Sequence, residues 1–328
     1  MKYYKVALDV LGSDKGPEMM IRGAKMALEK HEDLSLLLVG DGEIIKTACE
    51  SLAVPMDRVE IIHASEVITN YDSPATALFS KTDSSLVLAL NACACRDDVI
   101  GLVNAGSTGA LLGGVVRYLM REDRARPALA AALPAERGGF VCLVDTGATI
   151  DATPQMLLHF ARLGTAFMKD MYKIESPKVA LLSNGAEETK GNKLVKEAHA
   201  LLKAAGDLNF VGNVEGTNAL SGDCDVLVAD GFAGNQVLKV TEGTARRIIT
   251  DIVKIAKKTG KEEYMALVST LMAKYDFNSL GGGIILGARK PVVKAHGAAN
   301  ELSIVSTLGI VLNLAKNRDV FNNLNGEA

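Results

Sequence analysis

The sequence predicts a doubly wound α/β fold, in which helices cover both faces of a mostly parallel sheet. Short apolar runs alternate with helical patterns along almost all 328 residues, as in chains built from βαβ units. The runs contain few polar residues, which is typical of strands buried on both faces. Several runs end in Gly-rich polar turns, as strands do at the binding edge of such sheets. We expect three α/β/α layers, with residues 1–328 forming one catalytic domain or two subdomains that share one sheet.

The individual elements follow from the positions of these runs and patterns. Strands are predicted at residues 5–9, 35–39, 59–63, 99–103, 128–133, 140–145, 178–183, 210–214 and 225–229. Helices are predicted between them at residues 17–30, 108–120, 153–172, 190–205 and 237–259.

The segment 246–277 has a lopsided charge and two amphipathic stretches. Its first part carries six Lys or Arg residues against Asp251, and Gly260 lies near the expected turn. We predict an amphipathic helical hairpin. It packs either on its own subunit or a dimer mate, or it serves as a membrane-surface or protein-docking element.

Composition excludes several classes of protein. The net charge of −3 and a pI of about 6.0 argue against a nucleic-acid partner, which usually needs a basic face. Five cysteines without a CxxC pair, and no signal-peptide or membrane-spanning pattern, favour the cytoplasm. The zinc-protease, serine-hydrolase and P-loop motifs are absent, and VGDGEII lacks the third Gly of a dinucleotide fingerprint. We therefore expect no metal and no cofactor.

The strongest candidate site is the loop NAGSTG that precedes the predicted helix at 108. The loop has three side-chain donors, Asn104, Ser107 and Thr108. It also has Gly106 and Gly109, and glycines let an oxyanion approach the backbone closely. Ser107 or Thr108 is expected to cap the helix. A plain cap uses one hydroxyl, whereas this loop supplies two and an amide, which favours an anion or substrate role.

Two further loops point to the same chemistry. EETKGN places Lys190 at the expected start of a helix, where the dipole disfavours a cation unless an anion lies nearby; the alternative is a solvated surface lysine. DGFAGN places Asp230 and Asn235 around a turn bracketed by glycines, the second of them Gly234. The alternative there is a turn held by local Asx hydrogen bonds. Phe232 in this loop is a candidate wall for an acyl or thioester group.

Two more segments carry titratable candidates. VVKAHG places Lys294 and His296 on alternate residues, which share one face if the stretch is extended. Histidine is the natural proton carrier near pH 7, although a single histidine is often structural. Asp9 ends the first predicted strand, where it orients a cation or a catalytic group, or belongs to the cap of the next helix.

Taken together, these motifs resemble one family over nearly the whole chain, the PlsX family of phosphate acyltransferases of bacterial phospholipid synthesis. The matching stretches are DVLGSDKGP, HASEVI, DSPATALFSKTDSSL, NAGSTGAL, RPALAAALP, ETKGN, GNVEG, DGFAGN and PVVKAHG. The chain departs from the family pattern at Ser13, Ser107, Thr149 and Thr217, where Gly, Asn, Asn and Arg are usual. Loss of that Arg would weaken anion binding if it contacts phosphate.

The resemblance implies a fold similar to the isocitrate and isopropylmalate dehydrogenases and the phosphotransacetylases, and a homodimer. It implies transfer of a long-chain acyl group from acyl carrier protein to inorganic phosphate. The acyl phosphate then feeds a membrane glycerol-3-phosphate acyltransferase. It also implies a cytoplasmic protein attached peripherally to the membrane through residues 246–277. A docking surface for the acidic carrier is expected to be basic; the candidates are Arg117, Arg121, Arg124 and Arg126, or the basic face of residues 246–261.

The expected mechanism needs no covalent intermediate, because phosphate is itself the nucleophile. The NAGSTG loop and Lys190 hold phosphate, and Asn235 or a nearby N–H donates to the developing oxyanion. Lys294 or His296 stabilises charge or protonates the leaving thiolate. The competing hypotheses are a phosphotransacetylase acting on short acyl-CoA, a metal- and NAD-dependent decarboxylating dehydrogenase, and a non-catalytic membrane scaffold for lipid-synthesis enzymes.

Overall fold

The computed structural model of the chain describes residues 3–120, 125–275 and 282–317. The strands are β1 (Tyr4–Asp9), β2 (Leu34–Gly40), β3 (Val59–His63), β4 (Val99–Asn104), β5 (Ala128–Pro134), β6 (Phe140–Val144), β7 (Lys178–Ser183), β8 (Asn209–Glu215), β9 (Val226–Val228), β10 (Gly283–Leu286) and β11 (Val292–Lys294). The α-helices are α1 (Gly16–Lys30), α2 (Gly42–Ser51), α3 (Pro74–Ser80), α4 (Ser85–Cys95), α5 (Thr108–Tyr118), α6 (Pro154–Tyr172), α7 (Lys193–Ala204), α8 (Gly231–Thr259), α9 (Glu262–Tyr275) and α10 (Glu301–Lys316).

The chain divides into two compact units. Unit 1 comprises residues 1–129, 170–173 and 281–328, and unit 2 comprises residues 130–169 and 174–280. In unit 1 the strand order is β3-β2-β1-β4-β11-β10, and all neighbours are parallel except β10 and β11. In unit 2 the order is β5-β6-β9-β7-β8, and only β5 and β6 are antiparallel. The predicted mostly parallel α/β fold is confirmed.

Local sequence explains where the elements of unit 1 begin. Every residue of β2 is buried, which fits its apolar sequence. Asp41 caps α2 by accepting from the N–H groups of Glu43 and Ile44 at 3.0 and 3.2 Å. Asn300 caps α10 in a capping box with Ser303. These caps satisfy N–H groups that have no partner within the helix.

The core of unit 2 consists of buried apolar residues from its strands, including Leu133, Val141, Leu143 and Leu227.

Two predicted helix starts in this unit are wrong. The helix expected at 190–205 begins at Lys193, and the helix expected at 237–259 begins six residues earlier, at Gly231. In unit 1, the helical patterns did not predict α2, α3, α4 or α10, and the apolar runs did not predict β10 or β11. All nine strands predicted along the chain are present within one or two residues.

Candidate active site

Three polar side chains lie side by side where the central strands of unit 1 end. Asp9, Asn104 and Lys294 are the last residues of β1, β4 and β11, and the register pairs Asn104 with each of the other two. All three are buried. Parallel strands explain the arrangement, because their carboxyl ends meet at one edge of the sheet. This row is the floor of the candidate site in unit 1.

The side chain of Asn104 connects this row to the glycine loop. Its Nδ2 donates to Asp9 Oδ2 at 2.8 Å, and its Oδ1 accepts from the Gly106 N–H at 2.9 Å. Burial raises the pKa of Asp9, while the hydrogen bonds that its carboxylate accepts, among them those from the Leu11 N–H at 3.1 Å and from Asn104 Nδ2, act in the opposite direction. Asn104 therefore shapes the loop around a buried carboxyl group.

The loop after β4 leads directly into the first turn of α5. Ser107 is the N-cap, and its Oγ accepts from the Ala110 N–H at 3.4 Å, which confirms the expected cap. Thr108 is half-buried and Gly109 is exposed. N–H groups in a first turn have no partner within the helix, and the dipole favours an anion there.

A close contact between two glycines supports this loop. A Cβ atom on Gly12 would stand 2.7 Å from the Gly106 Cα atom, and one on Gly106 would stand 3.2 Å from the Gly12 Cα atom. The loop after β1 and the loop after β4 are therefore packed backbone against backbone.

Lys294 and His296 differ in exposure. Lys294 is buried, and its Nζ donates to the Ala295 carbonyl oxygen. Strand β11 ends at Lys294, and His296 lies beyond it with an exposed side chain. The His296 Nδ1 atom accepts from the Ala298 N–H at 3.1 Å, so a neutral ring carries its proton on Nε2.

In unit 2, Lys190 lies in a loop and does not start a helix. Gly191 has a φ of +100°, which ends the turn with a conformation that helices do not use. Asn192 then caps α7 by accepting from the Val195 N–H at 2.9 Å. The stem of Lys190 passes over Gly185, where an added Cβ atom would meet its Cγ atom at 2.5 Å. The Lys190 side chain is about half exposed, and its Nζ lies 4.0 Å from the Glu187 carboxylate.

Asp230, Gly234 and Asn235 belong to the start of α8, not to a separate turn. Asp230 is the N-cap and accepts from the Ala233 N–H at 2.8 Å. The glycines permit close packing: a Cβ atom on Gly234 would stand 1.9 Å from the Asp145 carbonyl oxygen. Asn235 follows in the second turn, with its Oδ1 4.0 Å from the position of a Cβ atom on Gly147.

Asp145 organises the loop against which α8 packs, and the sequence analysis did not single it out. Its carboxylate accepts from the N–H groups of Gly147, Ala148 and Thr149 at 3.3, 3.1 and 2.6 Å. Asp145 is fully buried. Its position directly after the apolar run of β6 is the signal that could have found it, because a carboxylate there needs donors from the following turn.

A cavity of about 580 Å³ opens at the carboxyl ends of β7 and β9, next to the first turns of α7 and α8. Its polar lining includes Asn184, Asn192 and Asp230. Its apolar lining includes Leu157, Leu182, Val195 and Val237. This combination of an apolar wall with two helix N-termini suits a ligand that has an anionic and an apolar part.

Comparison with known proteins identifies the family. A family model described as fatty acid synthesis protein matches residues 4–318. A phosphate acyltransferase of Lactococcus lactis subsp. cremoris (strain SK11) is 39% identical over 311 residues, which are 93% of this chain and 92% of the relative. Another, of Thermoanaerobacter pseudethanolicus, is 37% identical over 330 residues, 98% and 97% of the two chains. The chain belongs to the phosphate acyltransferase family.

Solved structures agree with the fold of this acyltransferase. A phosphotransacetylase of Streptococcus pyogenes superimposes with a TM-score of 0.64 at 16% identity, covering 97% of this chain and 94% of the other. A branched-chain phosphotransacylase of Enterococcus faecalis V583 gives 0.57 at 17% identity, covering 94% and 99%. The expected likeness to phosphotransacetylases is confirmed at the level of the fold. Family membership makes the chain an acyltransferase that moves an acyl group to phosphate.

In this acyltransferase, exposed apolar residues lie on α8 and α9. They include Ile248, Ile255, Met265, Leu267 and Met272. Gly260 ends α8 in the left-handed conformation, and α9 starts two residues later. Arg121 and Arg124 of the predicted basic cluster, and Asp276 and Phe277 of the predicted hairpin, lie outside the described part of the chain. Within that part, no helix combines the length and the apolar character needed to span a bilayer.

Proposed function

We propose that this acyltransferase moves a long-chain fatty acyl group from acyl carrier protein to inorganic phosphate, and that the acyl phosphate serves bacterial phospholipid synthesis. The observation that carries the proposal is the cavity of unit 2. Its apolar wall matches an acyl chain, and the first turns of α7 and α8 match an anion. Burying a chain in it is favoured by about 0.8 kcal/mol for each methylene group. Long chains are therefore the better substrates.

In the proposed reaction a phosphate oxygen attacks the thioester carbonyl carbon, and the thiolate leaves from the tetrahedral intermediate. Phosphate binding is assigned to Lys190 of unit 2 and to the loop from Asn104 to Gly109 of unit 1, and Asn235 donates to the oxyanion. Lys294 or His296 stabilises charge or protonates the leaving thiolate. Asp9 and Asp230 hold the loops that carry these groups, as their hydrogen bonds to Asn104 and the Ala233 N–H support. Catalysis then depends on positioning and on donors aimed at developing charge.

The test is a phosphate-dependent assay with palmitoyl-acyl carrier protein, with palmitoyl-CoA and acetyl-CoA in parallel. We expect acyl phosphate to form with the long-chain donors and fastest with the carrier protein. Lys190→Ala and Asn235→Ala should each lower kcat/KM by about 100- to 1000-fold with an unchanged melting temperature. Turnover close to wild type in either variant would remove that residue from the mechanism.

The alternative is a phosphotransacetylase that acts on short acyl-CoA. The fold of the Streptococcus pyogenes phosphotransacetylase favours it, since the same scaffold supports acyl transfer there. The two proposals differ in the donor. Turnover confined to acetyl-CoA in the assay above would decide for the alternative.

We further propose a cytoplasmic homodimer that contacts the membrane through residues 246–277 and passes its product to a membrane glycerol-3-phosphate acyltransferase. The exposed apolar residues of α8 and α9 support this proposal, because an apolar surface of this kind favours contact with a membrane or another protein. The exposed cations Lys254, Lys257 and Lys258 suit anionic headgroups. Replacing all three by Glu should abolish flotation with vesicles of phosphatidylglycerol while leaving turnover of soluble donors within about twofold. Unchanged flotation would exclude this surface.

A further inference from the structure

Two buried polar residues behind the Lys190 loop are not used in the reaction proposed above. Asn213 lies in β8 and His199 in α7, with 7% and 6% of their surfaces exposed. Polar groups at such depth are unfavourable unless they are fully hydrogen-bonded. Their hydrogen bonds lead to the turn that carries Lys190.

Asn213 and Lys190 share one acceptor, the carbonyl oxygen of Glu187. The Lys190 N–H donates to it at 3.0 Å and thereby closes the turn. Asn213 Nδ2 donates to the same oxygen at 2.9 Å from the strand beneath. The position of the turn relative to the sheet is therefore defined by a side chain of β8.

The hydrogen bonds also define the state of His199. Because Asn213 uses its Nδ2 as a donor to Glu187, its Oδ1 faces His199 Nδ1 at 2.9 Å. An oxygen accepts, so Nδ1 carries the proton. The imidazole also packs edge-on against Phe210, with ring centroids 5.1 Å apart. His199 thus fixes the amide orientation in which Asn213 can support the turn.

Glu188, the next residue of the turn, contacts α7, the helix that carries His199. His199 Nε2 lies 3.8 Å from the Glu188 carboxylate, which binds Lys203 at 2.8 Å. Both Glu187 and Glu188 are thereby held by residues outside the loop. An active-site lysine on a loop requires such support, because a misplacement of about 1 Å is enough to cost about 100-fold in rate.

We propose that His199 and Asn213 are positioning residues that hold the Lys190 turn in its phosphate-binding geometry. The proposal rests on the role of Lys190 given under Proposed function. The predicted effect is on phosphate, because the turn carries Lys190. Loss of the His199 donor should raise the KM for phosphate by about 10- to 100-fold, with the KM for the acyl donor within about twofold.

The experiment compares three variants of the full chain. His199→Phe keeps an aromatic ring against Phe210 and removes the donor, whereas His199→Asn restores an N–H near the position of Nδ1. Phe210→Leu removes the ring contact and keeps the hydrogen bonds. We expect the phosphate KM to rise in His199→Phe, to recover at least tenfold in His199→Asn, and to stay unchanged in Phe210→Leu, which should only lower the melting temperature.

A second measurement reports on the turn without catalysis. Trypsin cleaves after Lys190 when the turn opens, and mass spectrometry identifies that cut. Cleavage should be at least about tenfold faster in His199→Phe than in wild type or His199→Asn, since proteolysis follows local opening. A wild-type cleavage rate or a wild-type phosphate KM in folded His199→Phe would overturn the proposal. If Lys190→Ala itself leaves the phosphate KM unchanged, the role of Lys190 fails instead, and the cleavage rates still decide whether His199 holds the turn.

Discussion

Replacing Gly234 by Ala should move Asn235 and stop most of the turnover. A Cβ atom at this position would stand 1.9 Å from the Asp145 carbonyl oxygen, whereas real Cβ contacts essentially never fall under 3.0 Å. The helix and the loop must therefore separate by about 1.1 Å, the difference between these distances. A displacement of that size costs about 100-fold in rate, or about 2.7 kcal/mol of transition-state stabilisation.

Gly243→Ala is the matched control, because it makes the same substitution in the same helix. No atom lies within 4 Å of a Cβ atom at Gly243, so alanine should stabilise α8 by up to about 1 kcal/mol. Overpacking at Gly234 should instead destabilise by about 1–3 kcal/mol. Melting temperatures should shift in opposite directions, and only Gly234→Ala should lose acyl phosphate formation. Wild-type turnover in Gly234→Ala would refute the reasoning.

Three further outcomes are expected. Arg58→Met should cost about 1–3 kcal/mol in urea unfolding, because the guanidinium binds main-chain carbonyls at the end of α1, among them that of Leu28 at 2.9 Å; an unchanged midpoint would contradict this. Arg96, and after it Lys5, lowers the pKa of Glu60 from 4.5 to about 2. The ion pairs of Glu60 therefore stabilise the folded state above pH 4.5, by less than about 1 kcal/mol because the groups are partly exposed. This stabilisation is lost towards pH 2. Glu60→Gln should accordingly be less stable than wild type at pH 7 and equal to it near pH 2. Gly185→Ala should displace the Lys190 stem and raise the phosphate KM about tenfold; equal KM values would exclude the contact.

Nine of the eleven strands that the structure describes could be predicted from sequence, because burial on both faces leaves a clear apolar run, as in β2. Helix starts were harder. Gly231 and Gly234 have the composition of a turn, yet they lie in α8 because its first turn packs against the backbone of the 145–149 loop. Local sequence does not contain that tertiary requirement.

Helices without a polar face were missed for a related reason. Most residues of α4 and α10 are buried, and apolar residues are spread around both helices. An amphipathic period arises only where one face meets water. These two helices therefore lack the signal on which the prediction of α1 depended.

The loops of the candidate site could be predicted as motifs, but their contacts could not. Ser107 was expected to cap α5, and it does. The joint support of one carbonyl by Lys190 and Asn213 depends on residues 23 positions apart in chain order and on the strand β8. Such a contact has no periodic or compositional trace.

The length of α8 has a mechanical consequence. The helix continues from Asn235 to its end at Thr259, a rise of about 36 Å at 1.5 Å per residue. Near its first turn α8 packs closely against the 145–149 loop, and even a methyl group does not fit at Gly234. This contact is therefore a pivot for the long helix α8. A tilt of the far end of α8, where exposed apolar residues lie, therefore pivots the helix about this contact and rotates the turn that carries Asn235.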